Sequence, residues 1–596
     1  MRRRNLLSAV AFTLAGCTAL TLAGCTAATP TELPAPTAPP ARPQLSLVAF
    51  DSCDRLLSEL RAATQRSVAT YGLTAPVPEA ASMTGRAEVS IAPVPYSGTN
   101  VHEQGADEPD IVKTDGRRIV TVDRGMLRVI DPATRSLTGS LALGAPGSQL
   151  LLSGDHALVL TTGRTYAGRI RPGLLPASGD VDLVLVDLAG PPKILSRYRS
   201  IGRVVDARQT GSIARIVLSS IPSIKFPMTA TGDDALLREN KKAVGAAPID
   251  AWLPSWQVTT GTAVSEGRLD CGAVRRPKSF SGAAMLSLLT FDLGASALTD
   301  GDPVGVVADG EIVYGTPSTL YIANDPSRRF NALPGAEALG TEIFQFSLPN
   351  TGKPVLIGAG TIAGTLLNQY SMSEWDGRLR VATTAKNDSA VRILENHGGD
   401  LVQAGKVGGL GRGERIYAVR FIGDRGYVVT FRQTDPLYSL DLSDWTAPRV
   451  TGELKITGYS AHLQPVGDNL LIGIGQEAST QGVRQGMLVS LFDVEDPANP
   501  RRLASQVVAN SVSAAEWDPH ALLWWPAAKL LVVPVKGSAQ GALAYRVEDG
   551  QLQAAGRISG DVSRSLVIGD DLWTLRENGL QVASVSTLDT LATVSF

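Results

Sequence analysis

Cysteine, histidine and aromatic residues are all scarce in this chain of 596 residues: four Cys, five His, and Phe, Trp and Tyr together at 5%. With no Cys-x-x-Cys pair and its histidines scattered, the chain offers no ligand set for a structural zinc. Basic and acidic residues number 55 and 57, a net charge of −2. That balance, and the lack of any stripe of basic and aromatic residues, excludes a nucleic-acid coat. Nucleophile-elbow, P-loop and Rossmann patterns are missing too. The glycine runs Gly358-Ala359-Gly360 and Gly408-Gly409-Leu410-Gly411 have no strand–turn–helix setting and read as loops. What the chain has in plenty is punctuation: 60 Gly and 36 Pro, against an average of about 12% for the two combined. So many turns argue against helical bundles. Hydrophobic residues at 44% and charged residues at 19% describe a globular protein rather than a disordered one. Its length exceeds one compact core, which leaves several domains or one large repeat architecture.

The N-terminus reads as an export signal. Arg2, Arg3 and Arg4 precede an apolar stretch from Leu6 through Leu14, the pattern of a secretory signal rather than of a membrane span. Arg3-Arg4-Asn5-Leu6-Leu7 also looks like a twin-arginine pattern, so the route is either the general secretory one or the one that exports folded chains. Two copies of Leu-Ala-Gly-Cys follow, ending at Cys17 and Cys25, and each resembles the bacterial lipobox, in which the cysteine carries a lipid (palmitate among its acyl chains). Lipidation at Cys25 leaves an even pair of cysteines, Cys53 and Cys271. Lipidation at Cys17 would leave an odd thiol in an oxidising compartment. Cys25 is therefore the expected anchor, with cleavage without a lipid as the alternative. The expected organisation is a signal peptide over 1–24, then a lipid anchor and tether over 25–44. Six prolines between Thr26 and Gln44 make that tether extended and semi-rigid.

Residues 45–95 are expected to hold a short helix and a connector. Asp51-Ser52 caps a helix whose apolar positions Cys53, Leu56, Leu57, Leu60 and Ala63 fall on one face. Cys53 is placed on that buried face. An exported chain with two remaining cysteines is expected to join them, Cys53 to Cys271; two buried free thiols are the alternative.

From Asp107 onward the chain repeats. Short β-branched runs follow Asp115-Gly116, Gly154-Asp155, Asp309-Gly310, Asp376-Gly377, Gly423-Asp424, Gly467-Asp468 and Gly569-Asp570. The spacing is 40 residues from Asp115 to Asp155, 48 from Asp376 to Asp424 and 44 from Asp424 to Asp468, and 102 between Asp468 and Asp570, which places a further unit near Lys529 to Val535. Between Asp155 and Asp309 lie two units and an insertion at about 222–278. A period of about 40 to 50 residues with four strands per unit marks an all-β fold, the β-propeller. Its sheets bury both faces only against their neighbours, so the ring must close. The repeat has nine candidate units; eight blades are favoured and nine remain open. The insertion is expected to be helical or irregular.

Several motifs stand in order along residues 96–596: Tyr96-Ser97-Gly98-Thr99-Asn100, Gly105 to Gly116, Gly458-Tyr459-Ser460, Gly486 to Val494, and Glu516-Trp517-Asp518-Pro519-His520-Ala521. Together they resemble the secreted β-propeller-domain family of bacteria and archaea. The resemblance implies an exported, often lipid-anchored propeller with no established reaction. Ala106 stands where that family more usually has valine, and Pro519 where a histidine often precedes the second histidine.

Three groups of residues are candidates for chemistry. Asp107, Asp110 and Asp115, with Glu103 and Glu108, are the oxygen donors a Ca²⁺ ion wants, or else turn-forming carboxylates; no other cofactor is expected. Glu516, Asp518 and His520, with His102 and His462, form the second group. They are either a general acid–base set at the central channel or a hydrogen-bond network holding blades together. Alternation would put Glu516, Asp518 and His520 on one side of a strand. Trp252, Trp256, Trp517, Trp524 and Trp525 are stacking platforms or core. The expected function is that of a membrane-tethered, extracytoplasmic binding or scaffold protein. Its partners would be the membrane, through the lipid, and a protein or cell-wall polymer. The rival is an extracytoplasmic propeller enzyme: a hydrolase, lyase or quinone-dependent dehydrogenase.

Overall fold

In the computed structural model the glycine- and aspartate-rich turns join short antiparallel strands, as their period demands. The structure describes residues 48–49, 52–73, 95–144, 148–162, 179–227, 232–276, 283–325, 340–386, 388–431, 435–479 and 483–596. The expected signal peptide over 1–24, the expected anchor Cys25 and the expected tether lie outside these residues. Met1–Pro43 and Gln44–Phe596 separate as two units, and every element below belongs to the second.

Among the described residues the strands form eight sheets, one of them eight-stranded. That large sheet is two four-stranded units joined at one bridge, Ala359 opposite Asp400. The described residues therefore hold nine blades, at 112–142, 148–201, 203–307, 312–362, 372–410, 415–456, 459–509, 511–559 and 562–595. The count is thus nine, the number left open beside the favoured eight.

Each neighbouring pair of blades shares one apolar core. Val120 and Leu127 of blade 1 meet Leu150 and Val159 of blade 2. The pattern recurs from pair to pair, and Val112, Ile119 and Ile130 of blade 1 pack on Leu566, Trp573 and Leu580 of blade 9. The last contact closes the ring. Burial on both faces also explains the near-continuous apolar strands, such as Leu530–Gly537, whose first six residues are all buried.

The turns read in the sequence connect the first and second strands of blades 1, 2, 5, 6, 7 and 9. Blade 8 makes the same connection through Pro526–Ala528 and the left-handed Lys529. Asp309-Gly310 differs: it lies between blades 3 and 4, and the blade 4 hairpin turns at 316–318.

The insertion leaves blade 3 after Ser220 and returns at Met285. It contains the helix α2 (Asp233–Ala246) and a hairpin whose strand Ser255–Thr260 pairs with Lys193–Ile201, widening blade 2. The N-terminal helix α1 (Cys53–Ser67) is capped by Ser52, whose Oγ accepts from the Arg55 N–H at 3.2 Å. Leu56, Leu60 and Ala63 are buried, Leu56 and Leu60 against Val244, Trp252 and Leu253 of the insertion. The Trp252 indole N–H donates to Thr64 Oγ1 at 3.0 Å. Cys53 is exposed, not buried as the helical spacing suggested, because the first turn overhangs the packing surface. It forms a disulfide with Cys271, closing a separation of 218 residues. In the chain-entropy model a loop of that size is worth about 5 kcal/mol.

Candidate functional site

The central channel is filled by the protein's own chain. Residues 95–111 enter along blade 9, where the Ser97 N–H donates to Val567 O and the Val567 N–H donates to Ser97 Oγ, both at 2.8 Å. Asn100 Nδ2 then donates to Gln464 Oε1 of blade 7 at 3.3 Å and to the Pro519 carbonyl of blade 8 at 3.0 Å. The His102 ring lies 5.1 Å from Tyr314 of blade 4 and 4.3 Å from Tyr370, just before blade 5. Glu103 accepts from the Tyr314 hydroxyl at 2.7 Å. Asp107 exchanges backbone bonds with Gln209 of blade 3, and Asp110 with Leu150 of blade 2, before the chain enters blade 1. The segment is thus a plug tying the inner strands together.

Asp107, Asp110 and Asp115 each have cationic partners of their own. Lys113 Nζ donates to Asp107 Oδ1 at 2.8 Å and to the Glu108 carbonyl. Arg564 Nε meets both Asp110 oxygens at 2.8 and 3.1 Å. Asp115 accepts from the Arg117 and Arg118 N–H groups at 2.9 Å, shaping its own turn. Asp107, Asp110 and Asp115 therefore answer to three different cation sets. Among the described residues no group of three or more His, Cys, Asp or Glu is arranged to hold a metal ion.

Glu108, 1% exposed, is the hub of a buried network. Its carboxylate lies 3.6 Å from Arg208 and 3.3 Å from His520 Nε2, the latter an ion-pair contact rather than an aligned hydrogen bond. Gln369 Nε2 donates to it at 3.3 Å. Arg208 also pairs with Asp206 at 2.8 Å. Arg564 reaches Asp518 Oδ2 at 2.7 Å, and His520 Nδ1 lies 3.8 Å from Asp518 Oδ1. Burial disfavours charge on His520, but Glu108, Asp110 and Asp518 outweigh it and raise its pKa. Burial likewise opposes the Glu108 charge; Arg208 and His520 overcome it, so that carboxyl is held below its ordinary range. Asp206 is pushed up to about 6, chiefly by burial.

Not all the expected site residues converge. Asp518 and His520 do, with Glu108 and Asp110. Glu516 does not: residues 514–521 form two short 3₁₀ turns instead of a strand, because Ser513 and Glu516 close a capping box and Pro519 starts the next turn. Glu516 accepts from Ser513 N–H at 2.8 Å and Gln476 Nε2 at 2.7 Å. His102 and His462 sit on either side of Tyr370, at 4.3 and 5.4 Å between ring centroids. Burial and the nearby Arg420 lower both, His102 far below the usual histidine range and His462 to about 3, so both are neutral rings. Of the tryptophans, Trp252 and Trp525 are core and Trp517 is 46% exposed.

Arg208, Arg564, Asp206 and Gln369 were not anticipated. Arg208 and Arg564 stand on inner strands, and the inner strands of blades 3, 6, 7 and 9 each carry a β-bulge, at Val204/Asp206, Ile416/Ala418, Ser460/His462 and Val562/Arg564. A bulge re-aims the side chains beside it. The bulged strands supply Asp206, Arg208, Arg420, His462 and Arg564 to the channel, and their sequences carry no mark of it beyond a charged residue amid apolar neighbours.

Over this network lies a cavity of about 330 Å³. Its walls are the plug at 96–100, the inner-strand ends of blades 1, 7 and 9, and Leu522 to Pro526 of blade 8; Asp110, His520 and Arg564 border it.

A closed ring of nine blades, each built on four antiparallel strands, around a filled channel is a β-propeller. Residues 96–588 match the family model of the beta propeller domain, and the chain belongs to that family. It is 27% identical to an uncharacterized protein of Archaeoglobus fulgidus, over 83% of this chain and 84% of that one. It is 38% identical to one of Methanocaldococcus jannaschii, over 37% and 35%. Among solved structures, the periplasmic gluconolactonase of Pseudomonas aeruginosa is similar over 52% of this chain and 90% of its own, at 13% identity and a TM-score of 0.35. A eukaryotic initiation factor is similar over 76% and 88%, at 10% identity and a TM-score of 0.41.

Proposed function

We propose that this protein is a binding module held at the outer face of a cell membrane by a lipid on Cys25, and that the 330 Å³ cavity at the channel mouth seats a segment of an extracytoplasmic protein partner. The observation that supports binding over catalysis is the state of the charged groups. Arg564, Asp110 and Asp518 are already bonded to one another, so they shape the cavity rather than stand ready as a nucleophile–base pair. Backbone from the plug and the apolar wall of blade 8 supply the mixed lining that peptide and small-molecule seats share. A photo-crosslinking residue at Thr99, on the cavity wall, is expected to trap a discrete protein in intact cells. The same residue at Val264, 59% exposed on the hairpin of the insertion, is expected to trap none. Equal products from both positions would overturn the reading.

One observation favours the enzymatic reading. His520 borders the cavity with a raised pKa and two carboxylates beside it, the makings of a general acid. Turnover of any small substrate that is lost in His520→Gln, with fluorescence and unfolding midpoint unchanged, would establish it.

A further inference from the structure

Between blades 5 and 6, on the face that carries the first-to-second-strand turns, lies a groove of about 400 Å³. Trp375 and Trp445 both line it, with Asp376, Arg378, Arg380 and Asp424. Trp375 is 51% exposed. The Arg380 guanidinium lies over its ring, 5.7 Å from the centroid, and backs onto Phe421 at 4.9 Å. One face of the indole is thus supported and the ring is presented to solvent. Arg378 lies over Trp445 at 4.3 Å and is neutralised by Asp376 at 2.9 Å and Glu395 at 2.6 Å. Arg380 is 3% exposed. It donates to Ser373 Oγ at 2.7 Å and to the Gly423 carbonyl, and among the described residues its Nε has no partner and no carboxylate pairs with it.

The groove's own lining combines an aromatic platform with two carboxylates, Asp376 and Asp424, and two guanidinium groups, and Glu395 behind Arg378 brings the formal sum to −1. An anionic ligand gains no net attraction from such a lining, and a cationic one would meet Arg380. A prolyl or aliphatic side chain would stack on the indole but would desolvate Asp376 and Asp424 without replacing their hydrogen bonds. A sugar ring meets both demands: its C–H face lies on an aromatic ring, and its hydroxyls donate to carboxylates and accept from guanidinium N–H groups.

We propose that the groove is a carbohydrate-binding site for uncharged hexose units, one ring stacked on Trp375 with hydroxyls shared among Asp376, Asp424 and Arg378. It stands apart from the channel cavity, whose walls are blades 1, 7, 8 and 9 and the plug, and does not depend on what that cavity holds.

The test is titration of the full chain with cellotriose, the trimer of N-acetylglucosamine, a trigalacturonate and a Pro-rich peptide, followed by tryptophan fluorescence and calorimetry. At least one of the two uncharged sugars is expected to bind with a dissociation constant of about 1 mM or below. Trp375→Ala is expected to weaken it at least about tenfold, Trp375→Phe to retain most of it, and Trp517→Ala, an exposed tryptophan elsewhere, to leave it unchanged. Absence of sugar binding up to about 10 mM, binding only of the uronate or the peptide, or full affinity in Trp375→Ala would each overturn the proposal.

Discussion

Replacing Arg564 by methionine tests whether the plug is held by charge. Arg564 is 7% exposed and carries two carboxylates, Asp110 through Nε and Asp518 through Nη2. Methionine fills much of the same volume without charge. Asp110, 3% exposed, would then keep its local bond from the Ile111 N–H at 2.7 Å and lose both bonds from the guanidinium. Breaking a buried pair by removing one partner costs about 3–5 kcal/mol, because the remaining charge stays buried. Asp518 is partly exposed, with 27% of its side chain accessible, and adds little. His520 still faces Asp110 and offsets part of the loss. The expected destabilisation is therefore about 3 kcal/mol, at the lower end of that range. The assay is guanidinium unfolding followed by tryptophan fluorescence, for which Trp573, fully buried in blade 9, is a reporter at the right seam. Asp110→Asn combined with Arg564→Met is expected to recover about 1–3 kcal/mol relative to the two single losses added together. A single-variant loss below about 1 kcal/mol, or strict additivity in the double variant, would refute the view that this pair locks the plug.

Acid is expected to weaken the fold through the neutral rings. The pKa of His462 is lowered to about 3 and that of His102 is lowered too, so their contribution is complete above about 6.5, the ordinary histidine value, and is lost as pH falls toward the folded value. The loss is about 1.4 kcal/mol per pH unit for each ring. His462→Gln is expected to flatten that slope in unfolding midpoints measured from about pH 7 to about pH 4, and an unchanged slope would count against it. His520 acts in the opposite sense: its raised pKa contributes stability at low pH that fades as pH rises through the folded value. Reductant is expected to lower the stability of the α1–insertion contact by up to about 5 kcal/mol, an effect that disappears in the Cys53→Ser, Cys271→Ser double variant. Identical midpoints with and without reductant would show that the disulfide constrains little. Fatty-acid label is expected on the wild-type chain and not on Cys25→Ala, which should be released from membranes; label retained by the variant would refute the anchor.

The repeat was legible because a propeller blade is a local object. Gly154-Asp155, Asp376-Gly377, Gly423-Asp424 and Gly467-Asp468 mark a hairpin whose two strands are neighbours in sequence, and hairpins obey turn chemistry that residue types reveal. Ser52 and the Leu56–Leu60 spacing predicted α1 for the same reason. The pairing of Cys53 with Cys271 was expected from counting, since a chain cleaved before a lipidated Cys25 would keep just these two thiols. The number of blades was not local. Nine is read from the paired strands of the closed ring, and period alone left eight and nine both open. The candidate site was legible only in fragments. Glu108, Arg208, Gln369 and His520 come from the plug and three separate stretches of chain, and Asp110 meets Arg564 across 454 positions. No pattern along the chain encodes such a meeting.

The sequence by itself determined a turn-punctuated β repeat and a capped helix, consequences of residues acting on near neighbours, and counting made a cysteine pair the expectation that the structure bears out. Tertiary structure alone decided that nine blades close, that residues 95–111 fill the channel, and that the Asp518 and His520 side chains join Glu108 while Glu516 turns to Gln476 and the His102 and His462 rings flank Tyr370. The physical reason is that ring closure brings distant inner strands to one axis, and β-bulges there choose which buried side chains face it. Charges in that low-dielectric interior must find partners wherever the closed ring puts them.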